Sequence, residues 1–356
     1  GSSYSYQTST GETFGGQRVH RSDDASALGT SEHVIRAVVN SANVSGLDSG
    51  FSFNSISSTL DGDDDGSANR SVQGSLRQFI QNANAITGSQ SSKFKLQFND
   101  SHYNGTTGVW TILPSSELPA ISEGLTLDAL TQVGASADSV NGLHTLKVKL
   151  DGASLATSAV GLNLTGGDTT VRGFSIVGFG NSATYPSAGI LVTGPGGHVI
   201  ESNFIGVDPT GTSGSGSYAG IDIGTTTGSS TIRIGGSSIA SRNVISNHAE
   251  GIYIHYYVNT PVIVQGNYIG TDWTGTAALG NSYSGISLEW LDGPGVTIGG
   301  LNAGEGNLIS GNTGNGVLIN GNGLATNNNV IRGNRIGVAA DGVTALANTG
   351  AAISIS

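Results

Sequence analysis

The sequence predicts an all-β fold: a right-handed parallel β-helix (solenoid) with an N-terminal amphipathic capping helix and a small β-rich N-terminal segment. Two observations carry the prediction. A Gly-led apolar run returns along the chain at a nearly fixed interval, and short Ile/Val-rich runs lie between the returns. The Gly-led pairs are Gly161-Leu162, Gly189-Ile190, Gly220-Ile221, Gly251-Ile252, Gly285-Ile286, Gly316-Val317 and, more loosely, Gly350-Ala351, at intervals of 28, 31, 31, 34, 31 and 34 residues. Self-similarity at a period of roughly 20–50 residues marks a stacked repeat.

Each return brings two further runs. After Gly189-Ile190-Leu191-Val192 come His198-Val199-Ile200 and Asn203-Phe204-Ile205-Gly206. The order recurs as Pro261-Val262-Ile263-Val264 with Asn267-Tyr268-Ile269-Gly270, and as Asn329-Val330-Ile331 with Asn334-Arg335-Ile336-Gly337. Alternate versions stand between, Ile232-Arg233-Ile234-Gly235-Gly236 with Asn243-Val244-Ile245 and Val296-Thr297-Ile298-Gly299-Gly300 with Asn307-Leu308-Ile309, so the unit reads as a double turn of about 65 residues.

The runs are short and alternate apolar with polar or small residues, a period of two that argues for strands and against helices. Gly, Asn, Thr and Ser between them tolerate the left-handed conformations of tight corners. Three short strands per turn describe a parallel β-helix, and a right hand is expected for parallel crossovers. Leucine-rich repeats are the rival, but their Leu spacing is missing. Stacked turns lie about 4.8 Å apart, so Asn203, Asn243, Asn267, Asn307 and Asn334, which hold one corner, are expected to bond in a ladder. The ladder should begin at Asn203, because Phe174 stands at the earlier equivalent position.

Three regions are expected. Residues 1–55 form a β-rich segment with strands at 34–39 and 50–54, a remnant of an Ig-like module or a strand-donating arm. Residues 56–150 supply the N-terminal cap and first irregular coils, with strands around 93–98, 109–113, 125–128 and 146–150. Residues 151–356 form the regular coils. Within the middle region, Leu76, Phe79, Ile80 and Ala83 fall at helical spacing behind a Ser75/Gln78 capping box. A solenoid needs an atypical cap over its first coil, and this helix suits that role.

Composition narrows the partners. Net charge is −11, which argues against nucleic acid or an anionic membrane. No apolar run is long enough to span a bilayer, so the chain is not expected to be membrane-embedded. The 57 Gly follow from corner density, since 36% of residues are hydrophobic with clear periodicity. Cys is absent, which excludes a disulfide framework and thiolate chemistry. The chain opens Gly1-Ser2-Ser3 without Met, as expected of a processed or excised piece. Acidic and Thr/Asn/Gly-rich, it reads as extracellular.

The string Gly74-Ser75-Leu76-Arg77-Gln78-Phe79-Ile80-Gln81-Asn82-Ala83-Asn84, the Ser45–Asn54 stretch before it, and the Asn-x-Ile-Gly-x-Asp coils at Asn203 and Asn267 carry a family likeness. They resemble bacterial secreted or surface right-handed β-helix repeat proteins, adhesin-like chains with a "GSLRxAIxxAN" cap segment. The resemblance covers about residues 45–356. It implies a β-helix on the cell surface with a structural or adhesive role, and no particular activity. Gly74 stands where that family often has Cys.

Chemistry-bearing residues fall in two places. Asp61, Asp63 and Asp65 alternate around Gly in the densest acidic run. Calcium loops use such carboxylates, yet the run lacks EF-hand spacing, and a solvated acidic loop is the other reading. The second place is the Gly-led strand, where positions two and four after the Gly point outward if Ile points inward. That stripe holds Asp222, Tyr253, His255, Ser287, Glu289 and Asn320, with Tyr256, Tyr257, Trp290 and Asp292 just beyond. Asp222, His255 and Glu289 are the candidate catalytic groups, because successive turns suit two carboxylates flanking a glycosidic bond. The tyrosines, Trp290 and Asp292 are the candidate glycan-binding residues, because aromatic faces suit sugar rings. The bland reading is exposed polar residues with aromatics packed under a loop.

The Asn-Thr-Asp and Gly-His-Gly motifs of β-helix hydrolases and the Asp-Pro-His-Glu string of epimerases do not occur. Asp208-Pro209 and Asp272-Trp273 read as corners. Arg172, Arg233, Arg242, Arg332 and Arg335, where a lyase base would be sought, read as scattered. Three functions stay open: a structural or adhesive module of a larger surface protein, meeting polysaccharide or a host or neighbouring cell; a polysaccharide-active enzyme or lectin; and a filament subunit associating end to end.

Overall fold

The chain folds by laying one short strand on each of three sheets in rotation. The computed structural model describes residues 5–7, 13–15, 54–61, 72, 74–138, 140–180, 184–291, 293–321 and 328–356. The strands expected at 34–39 and, but for Asn54, at 50–54 lie outside the described residues, as do Asp63, Asp65 and Asp292. Near the start, Ser5–Gln7 pairs antiparallel with Thr13–Gly15.

The Gly-led sheet has seven strands in sequence order: Val160–Leu164, Ala188–Val192, Ala219–Ile223, Glu250–His255, Ser284–Glu289, Asn315–Asn320 and Ile353–Ile355. All its pairings are parallel. An eight-stranded sheet follows it in each turn, and a nine-stranded sheet behind the Asn corner completes the rotation. This is a parallel β-solenoid.

The register explains the core. Leu162, Ile190, Ile221, Ile252, Ile286 and Val317 are successive partners, and all are fully buried. Each such side chain contributes about 1.5–3 kcal/mol of hydrophobic stabilisation. The Gly ahead of each is required by a close approach between turns, while its own φ is ordinary. A Cβ on Gly189 would stand 2.8 Å from the carbonyl oxygen of Gly220, one on Gly220 2.6 Å from that of Gly251, and one on Gly285 2.7 Å from that of Gly316. The last member of the series needs correcting. Val317 pairs with Ile353, so Ala352 and not Gly350 takes the Gly position in the final turn.

Left-handed glycines occur at the corners. Gly206, Gly270 and Gly337, which close the Asn-x-Ile-Gly runs, have φ of 73°, 89° and 78°. Inside that corner the Asn side chains bond turn to turn. Asn203 Nδ2 donates to Asn243 Oδ1 at 3.2 Å, Asn243 to Asn267 at 2.9 Å, Asn267 to Asn307 at 3.0 Å and Asn307 to Asn334 at 2.8 Å. The N–H of Phe174 donates to Asn203 Oδ1 at 3.0 Å, which joins the ladder to the preceding turn. Sequence separations along it run 40, 24, 40 and 27 residues. The coils nonetheless stay in register, because the longer connection falls alternately before and after the Asn.

A second ladder, at the corner before the Gly-led strand, was not expected. Asn281 Nδ2 donates to Asn312 Oδ1 at 2.9 Å, and Asn312 Nδ2 to Asn348 Oδ1 at 2.8 Å. His248 takes the same place one turn earlier: its N–H donates to Asn281 Oδ1, and its Nδ1 accepts from the N–H of Ser217 at 2.9 Å. The signal was in the sequence, since Asn281 and Asn312 each stand four residues before a Gly-led Gly.

The α-helix spans Leu76–Ala85 and buries Leu76, Phe79, Ile80 and Ala83. Ser75 Oγ accepts from the N–H of Gln78 at 3.1 Å. The return bond differs from the expected box, because Gln78 Oε1 accepts from the N–H of Gly74, and Ser75 N–H bonds to the Val72 carbonyl instead. Arg77 clasps Asp61 from this helix, donating from Nε and Nη2 to its two oxygens at 2.7 Å each.

Candidate functional site

The outer face of the Gly-led sheet gathers the candidate residues. Pairing sets Asp222 beside Tyr253 and Tyr253 beside Ser287, while His255 lies beside Glu289 and Glu289 beside Asn320. Alternation sends Ile252 and Ile254 into the core and Tyr253 and His255 to the opposite face. That face is not the exposed stripe the sequence implied. Asp222 is fully buried, His255 is 3% exposed and Tyr253 6% exposed. What covers them is aromatic.

His255 Nε2–H donates to Asp222 Oδ1 at 2.8 Å. The ring of His255 stacks on Tyr253 at 4.2 Å and 20°, and Tyr253 donates its hydroxyl to Glu289 Oε2 at 3.0 Å. Tyr185 meets Tyr218, Tyr253 and His255 edge to face, and Tyr218 in turn meets Tyr283. At the strand ends Tyr256 stacks on Trp290 at 5.2 Å and 23°. Both have left-handed φ, 63° and 52°, costly for bulky side chains and held only by surrounding structure. Tyr185, Tyr256, Tyr257 and Tyr283 are 49%, 44%, 63% and 55% exposed, so the rim of the cluster faces solvent.

Glu250 completes the site and was missed, because it precedes the Gly and so fell outside the outward stripe. It is 4% exposed and accepts from Ser287 Oγ at 2.7 Å. Burial, with a smaller push from Glu289, raises its carboxyl to about 8, against the lowering effect of the Ser287 bond. Burial likewise raises the Tyr185 and Tyr218 hydroxyls to about 12, and that of Tyr253 further. Tyr185, Tyr218 and Tyr283 were also missed. Tyr218 and Tyr283 share the place two residues before a Gly-led Gly, a pattern the sequence does show.

Three carboxyl groups, Asp222, Glu250 and Glu289, thus meet at one aromatic face, and none is ion-paired with Lys or Arg among the described residues. Asp222 Oδ2, His255 Nδ1 and Trp290 Nε1 are enclosed without a hydrogen-bond partner among the described residues. Unsatisfied buried groups of this kind are rare in native folds and ask for a reason.

The other candidates separate. Asp61 has both oxygens on Arg77 and also accepts from the Ser115 N–H at 3.0 Å. No group of three metal-ligating side chains occurs among the described residues. Asp208 and Asp272 hold their own turns, Asp208 accepting from Thr210 N–H at 3.0 Å and Asp272 from Thr276 and Ala277 N–H at 3.1 Å. Arg172 pairs with Asp128 at 2.7 Å. Arg242 and Arg335, read as scattered, line the same cavity. No helix among the described residues is long and apolar enough to cross a membrane. No protein-family model matches the chain, and no curated protein matches it.

Proposed function

We propose that the chain is an extracellular structural and adhesive module of a larger bacterial surface protein, and that it holds carbohydrate on the aromatic face of its Gly-led sheet. In this reading the solenoid is right-handed and the Leu76–Ala85 helix caps its first coil. One observation carries the reading: solvent-exposed Tyr185 and Tyr256 pack against His255 of the buried Asp222–His255 pair, Tyr185 also meets Tyr253, whose hydroxyl bonds to the half-buried Glu289, and exposed Tyr283 joins the cluster through Tyr218. Aromatic faces supply stacking surface for sugar rings, while carboxylates accept from sugar hydroxyls. The left-handed Tyr256 and Trp290 hold two aromatic faces in fixed directions, which favours preorganised binding.

A second reading, a polysaccharide-active enzyme, is favoured by Glu250. A carboxyl raised to about 8 by burial, with a second carboxyl group, that of Glu289, close enough to add to the rise, is the kind of two-carboxyl arrangement that glycosidic cleavage uses.

Glycan-array binding and reducing-sugar release test both readings. A Tyr256→Ala/Trp290→Ala variant is expected to lose on the order of tenfold in affinity, consistent with about 1–1.5 kcal/mol from aromatic contacts. The adhesive reading fails if the intact chain binds no glycan, or if the variant binds equally well. Release of sugar that Glu250→Gln and Glu289→Gln abolish would establish the enzyme.

A further inference from the structure

A separate feature lies on the outer side of the nine-stranded sheet. Tyr268, Leu308 and Arg335 are partners on successive turns there, and with a neighbouring loop they wall a cavity of about 310 Å³. Arg242 reaches into it with its guanidinium carbon 3.9 Å above the centre of the Tyr268 ring. The Ser136–Ala137 and His144–Thr145 hairpin packs from behind, where His144 Nε2–H donates to the Arg242 carbonyl at 2.9 Å. A Cβ on Gly142 of this hairpin would collide with Arg242 Nη1, so the guanidinium lies between the Tyr268 ring and the hairpin.

What it lacks is an anion. Arg242 forms no ion pair among the described residues, and its Nε is enclosed without an acceptor. Burial, opposed only by Tyr268, pulls it below the usual arginine range. A half-buried guanidinium without a counter-ion is costly, and the cost falls when an oxyanion meets the Nη edge of its planar fork. Arg335 adds positive charge on the same cavity while donating one Nη1–H to the Ala340 carbonyl at 2.8 Å. The acid of the adjoining loop, Glu305, is turned onto Asn302, accepting from its N–H at 3.0 Å and its Nδ2 at 2.9 Å. In a chain of net charge −11 this local surplus of arginine stands out.

We infer that this cavity is a binding site for a small ligand bearing an oxyanion, a carboxylate or a sulfate on a body of about one sugar ring, with Arg242 as its bidentate clasp. The volume sits at the small end of ligand pockets, roughly 300–1,000 Å³. One face of the Tyr268 ring is covered by the guanidinium, and the ligand is taken to meet the edge of the fork. The site is distinct from the aromatic cluster of the Gly-led sheet and does not depend on the adhesive reading.

Calorimetric titration of the whole chain with sodium glucuronate, sodium sulfate and glucose at constant ionic strength tests this. Saturable binding in the millimolar range or tighter is expected for at least one anion and not for glucose. Glucuronate alone would assign a carboxylate, and sulfate alone a sulfate. Arg242→Gln should weaken binding at least tenfold, with Arg242→Lys in between, because an ammonium keeps the charge and loses the fork. Should Arg242→Gln fail to fold, Arg242→Lys and Arg335→Gln serve, each expected to weaken binding severalfold. No saturable binding of either anion, equal binding of glucose, or undiminished binding in the folded variants would overturn the inference.

Discussion

His255 reaches back one turn of the solenoid to place Nε2 2.8 Å from Asp222 Oδ1, with both side chains sealed beneath Tyr185 and Tyr256. Their Cα positions are offset diagonally, since Asp222 pairs in register with Tyr253. The contact therefore depends on both side chains leaning along the sheet. Asp222→Ala should lower stability by about 2–4 kcal/mol, because it strips a buried N–H of its acceptor. The Asp222→Ala/His255→Ala double variant should cost less than the two single changes added together, by ~1 kcal/mol or more. Urea unfolding of the four chains measures this, and strict additivity would refute the coupling.

The Gly-led stack makes a sharper demand. Gly220→Ala places a methyl 2.6 Å from the Gly251 carbonyl oxygen and 2.7 Å from Ile245 Cγ2, both fully enclosed. Neither neighbour can yield without shifting a turn, so a loss of about 2–4 kcal/mol is expected. Ala elsewhere in an extended strand normally gains on Gly by lowering unfolded-state entropy. A neutral or stabilising outcome in thermal unfolding would show that turn spacing is soft.

Two buried groups give stability opposite pH limbs. Folded Glu250 keeps its proton to about 8, whereas the unfolded chain releases it in the ordinary glutamate range. Between those limits the folded state binds more protons, so this contribution is full at the acid end and lost as pH rises through about 8. His248 behaves conversely. Burial holds it neutral down to about 4, and the Ser217 N–H directed at Nδ1 requires the unprotonated ring. Its contribution is full above the ordinary imidazole range and lost as pH falls toward about 4. Glu250→Gln should therefore gain stability relative to the parent between about pH 5 and pH 9, on the order of 3 kcal/mol. Urea midpoints at both ends check it, and parallel curves would exclude Glu250 as the source.

The sequence by itself determined the coil. Leu162, Ile190, Ile221, Ile252, Ile286 and Val317 pair as their spacing implied, because a period of two with regular returns leaves one inward face for Ile and Val. It also located the helix, whose four buried residues are the four at helical spacing. The series slipped only at its end, where Ala352 replaces Gly350.

Only the tertiary structure decided the neighbourhoods across turns. Asn partners lie 40 residues apart at one step and 24 at the next, since connection length varies freely while stacking holds the strands in register. The same freedom brings Tyr185 over His255 and Tyr218 over Tyr253, with Tyr283 against Tyr218, buries Asp222, Tyr253, His255 and Ser287 where alternation implied exposure, and carries Arg242 onto Tyr268. Local pattern sets which face a side chain takes. Which side chain it meets there depends on loops whose course no periodicity encodes.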